Sequence, residues 1–76
     1  MTHFTTLTGS TYHIDLANMN WSRNPSKHSG KLMGINAGPL SQVPEIIVGQ
    51  RCLLVEGPEG LLEVISTSPV ISTWTD

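Results

Sequence analysis

Arg51-Cys52-Leu53-Leu54-Val55-Glu56, then Gly57-Pro58-Glu59-Gly60, then Leu61-Leu62-Glu63-Val64-Ile65-Ser66-Thr67 is the stretch that decides the fold. Two apolar runs flank four residues of Gly/Pro chemistry, a strong local signal for a β-hairpin. The same punctuation continues outward. Gly49 turns the chain into the hairpin, Glu45–Val48 reads as a short strand, and Pro44 bars a central strand at that point. Asn36-Ala37-Gly38-Pro39 reads as another turn. On the far side Pro69 interrupts pairing, so Val70–Trp74 is expected as a separate last strand or edge.

Toward the N-terminus, Thr2–Leu7 and Thr11–Asp15 read as strands joined tightly at Thr8-Gly9-Ser10. Tyr12 and Ile14 then share one face, while Thr11, His13 and Asp15 share the other. After a turn at Leu16-Ala17-Asn18, Met19, Trp21 and Arg23 alternate with Asn20 and Ser22 on a third strand. A helix over 16–22 capped by Asp15 is the rival. Asn18 and Asn20 are poor helix formers and no Glu or Gln completes a capping box, so the meander is preferred. Asn24–Gly30 reads as a loop and Lys31–Ile35 as a short strand with Leu32 inward.

These elements predict one all-β domain over 1–76, with six to eight short strands and little or no helix. Without a crossover helix the sheet must be antiparallel and curled into a small barrel or roll, for which an SH3-like barrel is the nearest common architecture. The expected core is Phe4, Leu7, Tyr12, Ile14, Trp21, Leu32, Ile46, Val48, Leu53, Val55, Val64 and Val70. Eight threonines, eight serines and only two alanines agree with strands and turns.

At 76 residues the chain is near the size at which a domain needs help from disulfides, a metal or a partner. Cys52 is the lone cysteine, so no disulfide forms within the chain, and its apolar run makes it a buried small hydrophobe. A single thiol suits a reducing compartment. The first residues lack the basic start and apolar core of a signal peptide, and no run approaches the ~18 apolar residues of a membrane helix. The expected location is therefore the cytoplasm, without a membrane partner.

No CxxC pair, HExxH, glycine-rich phosphate loop or Gly-x-Ser-x-Gly elbow is present, so the expectation is a protein that is not an enzyme, with no cofactor and no metal. His13 and Asp15 could form a dyad on one strand face, with His3 as a third group on the adjacent strand. An ordinary polar surface is the preferred reading of that face. Glu56, Glu59 and Glu63 around the hairpin tip read as solubility and edge protection.

Charge is divided unevenly: residues 1–38 sum to +2 and residues 39–76 to −4. The positive charges cluster in Arg23-Asn24-Pro25-Ser26-Lys27-His28-Ser29-Gly30-Lys31. Arg23, Lys27, His28 and Lys31 in a loop suit a phosphate, a nucleotide or an acidic protein surface. Trp74 lies near the end of the chain, where an aromatic often marks an interface. These five residues are the candidate binding set. One short basic loop makes too few phosphate contacts for sequence-specific nucleic-acid recognition.

Gly9-Ser10-Thr11-Tyr12-His13-Ile14-Asp15 with Met19-Asn20-Trp21-Ser22-Arg23, and Ile47-Val48-Gly49-Gln50 with Thr67-Ser68-Pro69-Val70, resemble small, largely uncharacterised proteins encoded by bacteriophages of actinobacteria. In those, a Tyr/acid hairpin opens the chain and a Thr-Ser-Pro-Val strand closes it. The resemblance implies a bacterial host cytoplasm and a task of binding a host component, and it carries no catalytic residues. The expected function is thus a non-enzymatic binding protein that engages a host protein, in host modulation or counter-defence. The alternatives are an oligomeric sponge for an anionic nucleotide and a virion structural or assembly module. Self-association as a homodimer or higher oligomer would also supply the surface burial that so short a chain lacks.

Overall fold

A computed structural model describes residues 1–25 and 36–76. The expected strand at Lys31–Ile35 and the core position Leu32 lie outside the described residues. Among the described residues six strands follow in order: β1 (Thr2–Thr6), β2 (Thr11–Asp15), β3 (Asn20–Asn24), β4 (Ala37–Pro39), β5 (Arg51–Glu56) and β6 (Glu63–Thr75). All neighbours pair antiparallel, in the spatial order β4-β3-β2-β1-β6-β5. The protein is all-β, a curled half-barrel. Among the described residues there is no helix, and so none long and apolar enough to cross a membrane.

Short-range chemistry sets the first two hairpins. The Thr6 N–H donates to the Ser10 carbonyl (3.0 Å) and the Gly9 N–H to the Thr6 carbonyl (2.8 Å), which aligns Phe4 with Tyr12 and His3 with His13. At the next turn the Asp15 carboxylate takes the Asn18 N–H (3.2 Å) and the Asn18 side-chain amide (2.9 Å). Those bonds give the backbone a local alternative to helix, and the meander forms. The Asn18 side-chain bond, followed by its backbone bond, holds the Asp15 carboxyl below its usual range.

β6 runs unbroken for 13 residues, against the expectation of two strands split at Pro69. Its first part pairs with β5 and its second with β1, and the handover falls at Pro69 and Val70. Proline is tolerated there because the ladder is changing neighbours. The Val70 N–H donates to Gln50, and the Pro69 carbonyl accepts from Leu7. Ala37–Pro39 pairs with β3 rather than forming the expected turn, and Glu45–Val48 is not a strand. Beyond β4 the Leu40 N–H donates to Met19 and the Ser41 N–H to Val55 (2.8 Å each), while the Ser41 hydroxyl donates to Gly57. The chain leaving one edge of the sheet therefore meets the strand at the other edge, which is what curls it.

The core holds Phe4, Tyr12, Ile14, Trp21, Leu40, Cys52, Leu54 and Val70, with Met19, Ile46 and Ile65 packed against it. Val55 is buried too. Leu7, Val48, Leu53 and Val64 were expected inside and are exposed. In β5 the inward phase belongs to Cys52 and Leu54, and an irregularity between Arg51 and Leu53 sets that phase. Burial pushes the Cys52 thiol up to about 11. The Trp21 Nε1 is buried without an acceptor among the described residues, so the partner its indole calls for is absent from them.

Candidate binding site

The face of the sheet turned away from Phe4 carries one continuous polar row. Successive side chains of a strand point to opposite sides, so His3 on β1 and His13 on β2 leave the core face together. The register then adds Trp74 opposite His3 on β6. On β3, Asn24 falls on the same side as His13. Alternation counted from the Thr6–Ser10 bond puts His3 and His13 in the closely spaced kind of antiparallel pair.

The contacts along this row are short. His3 Nδ1 and His13 Nδ1 are 2.7 Å apart, with rings edge-to-face at a centroid distance of 4.9 Å. His3 Nε2 lies 3.0 Å from Asp76 Oδ2, and Asn24 Nδ2 lies 3.1 Å from His13 Nε2. Trp74 lies flat on His3 at 5.4 Å between centroids and 22° between planes. The Thr73 hydroxyl donates to the His3 carbonyl (2.9 Å), tying β6 to β1 beside the stack. The Met1 amino group reaches the other oxygen of Asp76 at 3.4 Å.

Proton positions follow from the partners. A carboxylate only accepts, so His3 donates from Nε2 and, when neutral, must accept at Nδ1. The Asn24 amide donates to His13 Nε2, so neutral His13 carries its proton on Nδ1 and gives it to His3. The row thus reads Asn24 to His13 to His3 to Asp76, each link with one donor and one acceptor. The His3 bond is the leading cause that holds the Asp76 carboxyl below its ordinary range, with the Met1 amino group a smaller contributor.

The His3 ring is buried beneath this network, while Trp74 keeps 45% of its surface exposed. The row therefore presents a wet aromatic ledge on a fixed base. No group of three or more His, Cys, Asp or Glu capable of holding a metal ion occurs among the described residues. A separate groove of about 280 Å³ is lined by Val43, Ile47, Gln50, Arg51 and Leu53 among others. Arg51 there donates to the Thr67 carbonyl, so its charge is partly spent on the fold.

No protein family, no curated protein and no solved structure matches this chain.

Of the candidate residues chosen from sequence, Trp74 sits on this row. Arg23 does not: it shares the side of Tyr12 and Trp21, and its guanidinium donates twice to Asn36 Oδ1 (3.2 and 2.9 Å). Lys27, His28 and Lys31 lie outside the described residues. The polar surface expected around His13 and Asp15 divides. Asp15 serves the turn, whereas His13 is half-buried and bonded at both nitrogens. The strand pattern of the sequence places His3 on the strand adjacent to His13, but nothing in residue spacing points to Asp76.

Proposed function

We propose that the protein is a non-enzymatic binding protein that presents the Trp74 face to a protein partner. The observation that carries this reading is the exposed Trp74 indole lying flat on a buried, hydrogen-bonded His3. A large aromatic held in one orientation before binding loses little rotamer freedom on binding, and such residues dominate interface energetics. Thr5, Ser22 and Asn24 on the same side of the sheet supply the adaptable hydroxyl and amide groups of a polar rim. The resemblance to actinobacteriophage proteins supports a host protein as that partner.

The test is affinity capture from bacterial lysate with the unmodified protein and with Trp74→Ala, with native mass measured in parallel. The expected result is one dominant protein retained by the first and lost by the second, with affinity down by tenfold or more. Equal retention by both would remove the Trp74 face from the interface. A defined oligomer with no other protein bound would assign the face to a second copy instead.

A further inference from the structure

His3 Nδ1 and His13 Nδ1 lie 2.7 Å apart, a spacing that admits one proton between them and no second. We propose that this pair is a single-proton latch that sets the position of Trp74, released when the pair becomes doubly charged. The regulatory part rests on Trp74 being the partner contact; the latch itself does not.

Counting protons on four ring nitrogens gives the behaviour. With both rings neutral there are two N–H groups, one between the rings and one directed to Asp76. An added proton enters at His13 Nε2, where the Asn24 amide must turn over to offer Oδ1 instead of Nδ2. The rings stay bonded in that state. A further proton has only His3 Nδ1 left to occupy, and two N–H groups would then confront each other with no acceptor between them. Two adjacent cations add repulsion. The rings must separate, and Trp74, which lies on His3, loses its base.

The surroundings leave this balance to the pair. Asp76, next after the last residue of β6, is the carboxylate bonded to it, and the Met1 amino group bonds Asp76 in turn. From β3 the facing group is the uncharged Asn24, while Arg23 points to the opposite side of the sheet. Asp15, on the outer side of β2, is engaged by Asn18. Two rings with room for one proton between them take up further protons in separate steps.

The experiment is a pH titration of the free protein by nitrogen-15 NMR of the histidine rings and the Trp74 indole, repeated on His13→Gln. Expected near neutrality are a bare Nε2 on His13 and a bare Nδ1 on His3. On acidification two separated steps should appear, with the Trp74 indole signal moving on the second. In His13→Gln, His3 should titrate in one step and the Trp74 movement should vanish. Both rings protonated at Nε2 near neutrality, or two identical independent titrations, would overturn the latch. Partner affinity is then measured across the second step. A loss of about tenfold, the equivalent of one pH unit of linkage, supports regulation of binding. Unchanged affinity with an intact two-step titration overturns regulation while leaving the latch standing. Failure to find a partner would count against the proposed function alone.

Discussion

Phe4 stacks on Tyr12 across the β1–β2 pair, with ring centroids 4.7 Å apart and planes 9° from parallel. Tyr12 in turn contacts Trp21 at 6.1 Å, so three neighbouring strands are joined by one run of aromatic rings. Because Phe4 has no exposed surface, this run is the centre of the core rather than its margin. Phe4→Ala should cost about 3–5 kcal/mol, a large share of the stability of a domain of this size, and Phe4→Leu roughly half that. Urea denaturation followed by tryptophan fluorescence would measure both. Equal stability for Phe4→Ala and the unmodified protein would contradict this placement.

Thr67 is buried and does two jobs with one hydroxyl. It accepts from the Cys52 N–H (3.0 Å) and donates to the Ser68 carbonyl (2.7 Å), where β5 and β6 are out of regular register. Thr67→Val keeps the shape and strands the Cys52 amide, so a loss of about 1–3 kcal/mol is expected. Thr67→Ser keeps the hydroxyl and should cost less. Amide exchange at Cys52 should quicken in the valine variant before global stability falls.

Gly57 and Gly60 bracket the β5–β6 connection with φ of 101° and 89°, yet they should respond differently to alanine. A Cβ at Gly57 would lie 2.6 Å from the Leu61 carbonyl oxygen, whereas one at Gly60 meets nothing within 4 Å. Both variants carry the left-handed backbone penalty of about 1–2 kcal/mol, and Gly57→Ala adds a clash with backbone that cannot step aside. Thermal melts should rank Gly57→Ala well below Gly60→Ala. The reverse order would mean that the turn is built differently.

Cys52 makes stability depend on alkaline pH. Its thiol rises from an ordinary 9.0 to about 11 in the folded state because burial opposes the thiolate. The unfolded chain therefore releases this proton first, and stability falls as pH climbs from about 9 to about 11. The loss should approach 2–3 kcal/mol, from about 1.4 kcal/mol per unit. Cys52→Ala should flatten that slope while lowering stability at neutral pH through lost packing. A thiol reagent at pH 8 should label the native protein only as fast as it opens, measured by mass spectrometry against a denatured control.

What could be read along the chain was what depends on near neighbours. The alternation of Tyr12 and Ile14 against His13, the turn at Leu16-Ala17-Asn18 and the Gly57–Gly60 hairpin all follow from a side-chain period of two and from local turn chemistry. Leu53-Leu54 defeats that period, since two adjacent leucines satisfy either phase, and only pairing with β6 puts Leu54 inside and Leu53 out. Pro69 misleads for a related reason: a missing N–H ends a strand only where a neighbour needs it, and β6 is changing neighbours there.

Local alternation places His13 on the side of β2 opposite Tyr12 and Ile14, and the strand and turn residues along the chain make it all-β. Tertiary structure decided that Trp74 and Asp76, more than seventy residues away along the chain, complete the row on His3. It also sent Arg23 to the other side of the sheet from Trp74. The physical reason is strand register: which residues face each other across strands depends on the packing of the whole sheet, and no local spacing encodes it.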